Sequence, residues 1–260
     1  MKYISALLLL VLAFTAHAQM LKPFTIEGDI SSIKDNIDSI HLSYTTDGKK
    51  YNLAFPVKNG LFIIKGNISQ PAVALIYYFA SADKARNKYQ NVGNTGTKIF
   101  IQAGKMNFKS GSTIADNTLN GSPYDADFKE MESKAREFSE KVELEYEQCM
   151  LEKDTILRQQ KLNAILDSSQ VFPVKIWIPY LNSHPQSPLV FYGINEMMRF
   201  NHNFQGQDIA PLFDRLTPDM KNSYEGKQLK AIIATGNGSI APEFSQADTS
   251  GVIVSLSSFR

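Results

Sequence analysis

The chain has 260 residues, 27 basic and 26 acidic side chains, and a single cysteine. A net charge of +1 offers no electrostatic case for nucleic acid, and one cysteine excludes an internal disulfide framework. Folding therefore rests on ordinary hydrophobic cores, which a chain of this length can bury.

Residues 1–18 read as a cleavable secretory signal. Lys2 precedes the apolar run Ile4 to Phe14, and Ala16-His17-Ala18 sets small residues one and three positions before a cleavage point. The run is shorter than the ~20 residues that span a bilayer. No cysteine follows it, since Cys149 is the only one, so the expectation is an exported, periplasmic chain without a lipid anchor or a membrane span. Removing Lys2 with the signal leaves 26 bases against 26 acids.

Residues 22–121 are cut into short stretches rich in Ile, Val, Phe and Tyr, separated by Gly, Asn and Asp. Strands are predicted at Phe24 to Ile30, Ser39 to Tyr44, Tyr51 to Val57, Leu61 to Lys65, Ala72 to Phe79, Thr97 to Gln102 and Met106 to Ser110. Ile40-His41-Leu42-Ser43-Tyr44 alternates as a strand with one buried face should, and Lys58-Asn59-Gly60 signals a hairpin. Seven short strands with tight turns predict an antiparallel β-sandwich.

At Asn120-Gly121-Ser122-Pro123 the pattern changes, and residues 123–235 read as a helical region. Phe128, Met131, Ala135, Phe138, Val142 and Cys149 form an apolar stripe at three- and four-residue steps, broken by Glu145. Further helices are predicted around Ile156 to Leu166, Val171 to Ser183, Pro188 to Phe200, and from Thr217-Pro218 to about Ala234. The fold class expected is thus α+β. Residues 236–260 read as a linker, Gly236-Asn237-Gly238-Ser239, followed by a strand-like segment, Val252 to Leu256, with no evident partner within its own stretch.

Candidate chemistry is sparse. Cys149 sits on the apolar stripe with Glu145, Glu147 and Glu152 nearby, and reads as a small buried apolar residue rather than a nucleophile. His41, His184 and His202 lack the spacing of a zinc site. No G-x-S-x-G elbow or nucleotide-binding glycine motif is present, and Gly93-Asn94-Thr95-Gly96 precedes a strand rather than a helix. The Glu-rich helix from Phe128 to Glu152 is interleaved with Lys129, Lys134, Arg136 and Lys141, as a solvated ion-paired face would be. Trp177, Tyr180, Phe191 and Tyr192 could line a groove, with core packing the simpler reading.

The order of pieces resembles a known family. Phe24-Thr25-Ile26-Glu27-Gly28, Asn59-Gly60-Leu61-Phe62-Ile63-Ile64-Lys65-Gly66, Pro71 and Ile99-Phe100-Ile101-Gln102-Ala103-Gly104 resemble the N-terminal domain of unknown function of envelope thioredoxin-like proteins, with Asn120-Gly121-Ser122 similar to its closing motif. Tyr180-Leu181-Asn182-Ser183-His184-Pro185-Gln186-Ser187-Pro188 is similar to that family's helix junction, and Leu216-Thr217-Pro218 and Gly226-Lys227 to its last helix. Ala241-Pro242-Glu243-Phe244, Asp248, Gly251 and Val254-Ser255-Leu256-Ser257-Ser258-Phe259-Arg260 look like the opening hairpin of a thioredoxin or peroxiredoxin-type domain, which in those families precedes the W-C-x-x-C site.

No residue here matches the redox cysteines, Cys149 included, so the resemblance implies no catalytic, cofactor-binding or metal residue in this chain. It implies a non-catalytic accessory region of a periplasmic thiol-disulfide oxidoreductase, ending before the redox domain. Its expected partner is a protein or its own thioredoxin-like domain. The competing expectation is a free-standing exported module that binds a peptide, a glycan or an envelope protein. A hydrolase is the weakest reading, for want of a nucleophile or metal set.

Overall fold

The structure is a computed structural model that describes residues 20–79, 95–236 and 244–259. The expected signal, the Gly93-Asn94 loop, the Asn237 to Glu243 linker and Arg260 lie outside the described residues.

Eight strands build the first half: β1 (Lys22–Asp29), β2 (Ser39–Thr46), β3 (Lys49–Pro56), β4 (Leu61–Ile68), β5 (Ala72–Tyr78), β6 (Gly96–Ile101), β7 (Gly104–Ser110) and β8 (Asn117–Asn120). They form two four-stranded sheets, ordered β4-β1-β7-β8 and β3-β2-β5-β6. The period-two side-chain pattern turns one face of each sheet inward, so Phe24 and Ile26, Ile40 and Leu42, Ile64, Ile76, Ile99 and Met106 fill the space between them. The tight turns carry their residue signature: Asp47-Gly48 and Asn59-Gly60 all have positive φ.

The sandwich departs from the antiparallel expectation at one pairing, since β1 and β7 run parallel, with Phe24 opposite Gly104 and Asp29 opposite Lys109. The chain turns a tight corner from β6 in one sheet to β7 in the other, with Gly104 at φ +105°, and enters the second sheet alongside β1. β8 was not among the predicted strands. Its four residues are too short to show a period, and it is held by antiparallel pairing to β7.

Strand β6 is buried on both faces at its last three residues. Ile99 and Ile101 point into the sandwich, whereas Phe100 points outward and seeds a second core with Phe128, Trp177, Ile194 and Leu229. Because β6 is a sheet edge, the backbone of Phe100 has no strand partner on its outer side. The segment leading into the helices supplies that partner. The Phe100 N–H donates to Asp125 Oδ1 at 2.8 Å and the Ser122 hydroxyl donates to the Phe100 carbonyl at 2.5 Å. Lys129 Nζ lies 2.7 Å from Asp125 Oδ2 and also donates to the Asn117 carbonyl of β8 at 3.0 Å. Gly121, at φ +90°, makes the turn into this junction, where a Cβ would come within 2.4 Å of the Lys105 carbonyl.

Six helices follow among the described residues: α1 (Asp125–Met150), α2 (Thr155–Ser183), α3 (Leu189–Phe200), α4 (Gly206–Asp214), α5 (Pro218–Asn222) and α6 (Tyr224–Thr235). α1 and α2 form an antiparallel hairpin along the predicted apolar stripe, with the Phe138 and Phe172 rings stacked 3.8 Å apart. Asp154 caps α2 by accepting from the Ile156 and Leu157 N–H groups.

Three helical expectations change. The two helices predicted within 155–183 are one, continuing through Pro173 and Pro179, because Phe172 before the first proline, Trp177 between them and Tyr180 after the second are anchored by packing. α4 is additional, started by a capping box between Gln205 and Asp208. The last predicted helix is split at Ser223, whose hydroxyl donates to the Met220 carbonyl and accepts from the Gly226 N–H. Gly226 is required there, since a Cβ would sit 2.1 Å from the Met220 carbonyl oxygen.

The sandwich meets the helices at a second place. The Tyr224 phenol covers the β2–β3 turn so closely that a Cβ on Gly48 would lie 2.6 Å from Cζ, and Gln70 Nε2 donates to Glu225 Oε2 at 3.3 Å. Burial raises the Glu225 pKa, and the nearby charge of Asp47 raises it further.

The predicted C-terminal strand does have a partner. β9 (Ser245–Ala247) and β10 (Ile253–Ser255) pair antiparallel, closed by a turn in which Asp248 Oδ1 accepts from the Ser250 and Val252 N–H groups. A single 3₁₀ turn, Leu256–Phe259, follows.

Two outcomes test this architecture. Asp125→Ala strands the Phe100 N–H and leaves Lys129 without its carboxylate, and is expected to cost about 3 kcal/mol in urea denaturation. Asp125→Asn, which retains an acceptor, should cost less. Glu225 binds its proton more tightly in the folded than in the unfolded chain, so its contribution to stability is full at low pH and is lost as pH rises past about 4.5. Glu225→Gln should therefore raise the melting temperature at pH 7 and leave it unchanged at pH 3.5.

Candidate functional site

The outer face of the β4-β1-β7-β8 sheet carries an open groove of about 910 Å³. Strand register lays its lining out in two rows. Ile63, Glu27, Asn107 and Asn120 run side by side across the four strands, and Leu61, Asp29, Lys109 and Thr118 form the next row. Each row thus passes from an apolar side chain on β4 through a carboxylate on β1 to polar groups on β7 and β8. Leu61 and Ile63 are more than half exposed.

The two carboxylates are already engaged. Glu27 Oε1 is 2.9 Å from Lys105 Nζ, and Asp29 Oδ1 accepts from the Ser31 hydroxyl and backbone N–H at 2.6 and 2.9 Å. These hydrogen bonds from Ser31 hold the Asp29 carboxyl below its ordinary range. Acid/base hydrolysis by two carboxylates requires one of them to stay protonated near neutral pH. Asp29, held ionised, is unsuited to that role. The groove sets polar and apolar side chains side by side.

The candidates singled out by residue type are dispersed. Cys149 is buried in the α1–α2 hairpin, with Sγ 3.4 Å from the Arg158 carbonyl. His41 lies on the outer face of the other sheet, stacked on Tyr77 with ring centres 5.0 Å apart, and burial lowers its pKa. His184 stacks on Tyr180 at the end of α2, and His202 follows α3. No cluster of three His, Cys, Asp or Glu able to hold a metal occurs among the described residues.

The Glu-rich helix carries ion pairs, Lys134 with Glu130 at 2.6 Å and Lys141 with Glu145 at 3.7 Å, and Glu152 pairs with Lys161 at 2.8 Å. Trp177, Tyr180 and Phe191 are buried in the second core. Tyr192 donates to Glu132 at 2.7 Å, and burial with the Glu132 charge pushes its phenol far above its ordinary pKa. Tyr180 donates to Asp127 at 2.8 Å. This aromatic set is a packing unit rather than a groove.

The groove was not singled out in the sequence, although one signal for it exists. Leu61-Phe62-Ile63-Ile64 breaks the apolar/polar alternation, which means both faces of β4 are apolar and one of them is exposed. Comparison with protein-family models and with curated proteins returns no match. No helix among the described residues is long and apolar enough to cross a membrane.

Proposed function

We propose that this chain is the non-catalytic interaction region of a periplasmic thiol-disulfide oxidoreductase of the thioredoxin-like kind, which docks the redox domain and does not itself exchange disulfides. The observation that carries the reading is the β9–β10 hairpin. It is formed, yet Val252 and Ile253 are 59% and 69% exposed and Phe244 is 58% exposed. A lone two-stranded hairpin is marginal in water and gains stability from a third strand or an apolar face. A thioredoxin-type sheet supplies such a face, and the sequence of this hairpin resembles the one that opens that domain. Dithiol exchange needs a resolving thiol, and the chain has one cysteine.

The test is complementation. A thioredoxin-like redox domain lacking its own first hairpin is added to this chain, and amide exchange is followed at residues 245–255. Protection of Val254 and Ser255 that is lost in Ile253→Asp is the expected result. Unchanged exchange in the wild type would overturn the reading. In an insulin assay the chain without that domain should show no reduction above a Cys149→Ser control.

The groove favours a second reading, a free-standing binding module. On that reading, residues 244–259 should resist proteolysis without any partner.

A further inference from the structure

The four sheet edges of the sandwich are treated unequally. On one side α1 and its leading segment contact both: Asp125 and Ser122 satisfy β6 at Phe100, and Lys129 binds the β8 carbonyl of Asn117. On the other side lie β3 and β4, and among the described residues no strand pairs with the outer edge of either.

β3 carries the residues that keep edges from pairing, with Lys49 and Lys50 at its start and Pro56, which lacks an N–H, at its end. β4 has no proline and a single lysine, Lys65, over Leu61 to Lys65. Its hydrogen-bond phase can be read from the hairpin. The N–H and C=O of Leu61 both bond Lys58, away from β1, while the carbonyl of Gly60 bonds Ile30 of the chain leaving β1. Alternation then directs the N–H and C=O of Ile63 and Lys65 outward as well. The free stretch ends at Asn67, whose carbonyl accepts from the Tyr44 hydroxyl at 3.0 Å.

Beneath this edge the sandwich is incompletely covered, because the inward residues of β3, Tyr51, Leu53 and Phe55, are only partly buried against the core. Above it Ile63 is exposed, and Lys58 and Lys65 take part in none of the ion pairs of the described residues.

We infer that β4 is a docking edge for an extended polypeptide segment with apolar residues at alternate positions and carboxylates between them, added as a fifth strand at Ile63 and Lys65. The inward apolar residues of that strand cover Leu53 and its neighbours. Its carboxylates meet Lys58 and Lys65, and its backbone takes the outward groups of β4. This rests on reading the chain as an interaction region and names the chemistry of a segment it takes.

A fluorescent hexapeptide alternating valine and glutamate, and its valine–lysine counterpart, test the inference by anisotropy and amide exchange on the full chain. The valine–glutamate peptide is expected to bind and to protect the Ile63 and Lys65 amides. Ile63→Pro removes an outward N–H without touching the β1 ladder and should weaken binding about ten-fold. Lys58→Glu with Lys65→Glu, a purely surface change, should reverse the preference toward the valine–lysine peptide. Binding by neither peptide would overturn the inference. So would protection at Lys50 and Asn52 instead, or equal binding of both peptides by wild type and charge-reversed protein. Exchange at residues 245–255 with the redox domain, read on the same samples, reports separately on the interaction-region reading.

Discussion

The carboxylate of Asp125 and the hydroxyl of Ser122 on the backbone of Phe100 are the contact on which the rest of this architecture depends. An edge strand whose outward amide groups are buried must find partners for them, since each group left without one costs on the order of 1–3 kcal/mol. Here the partners come from the first turn of α1 and the residues just before it. The same strand can therefore end a sheet and begin a helical core, with Ile99 and Ile101 facing one way and Phe100 the other. Lys129 ties the arrangement to β8 through the Asn117 carbonyl and neutralises the buried Asp125.

The contacts of α1 lie on one side of the sandwich, and on the other no strand among the described residues pairs with the outer edge of β3 or β4. The exposed Leu61 and Ile63 and the outward amides of β4 lie at the sheet edge opposite β8, and from there the polar rows cross the outer face to β8. What lies there is a set of paired carboxylates beside exposed apolar side chains. The carboxylates are occupied by Lys105 and Ser31, and the described histidines and the cysteine lie apart from one another and from the groove.

The α+β class and most element positions were legible because local physics sets them. Strands with alternating Ile, Leu and Tyr can bury only one face, and a stripe at 131, 135, 138, 142 and 149 can only be a helix face. Asn59-Gly60 marked its hairpin because both residues accept positive φ. What escaped the sequence depended on distant partners. β8 is too short for a pattern, α2 survives two prolines by packing, and the split at Ser223 needs the Met220 carbonyl in place. The candidate groove was the least legible feature, since its rows join residues 27, 63, 107 and 120 through strand register.

The sequence by itself determined most of the strands and helices, the presence of a single thiol, and the near-neutral charge, because these follow from side-chain type and spacing. Tertiary structure decided the parallel β1–β7 pairing, which sheet edges α1 and its leading segment contact, and which polar groups share a surface. Those features arise from contacts between residues far apart in the chain, where geometry rather than composition selects the partner.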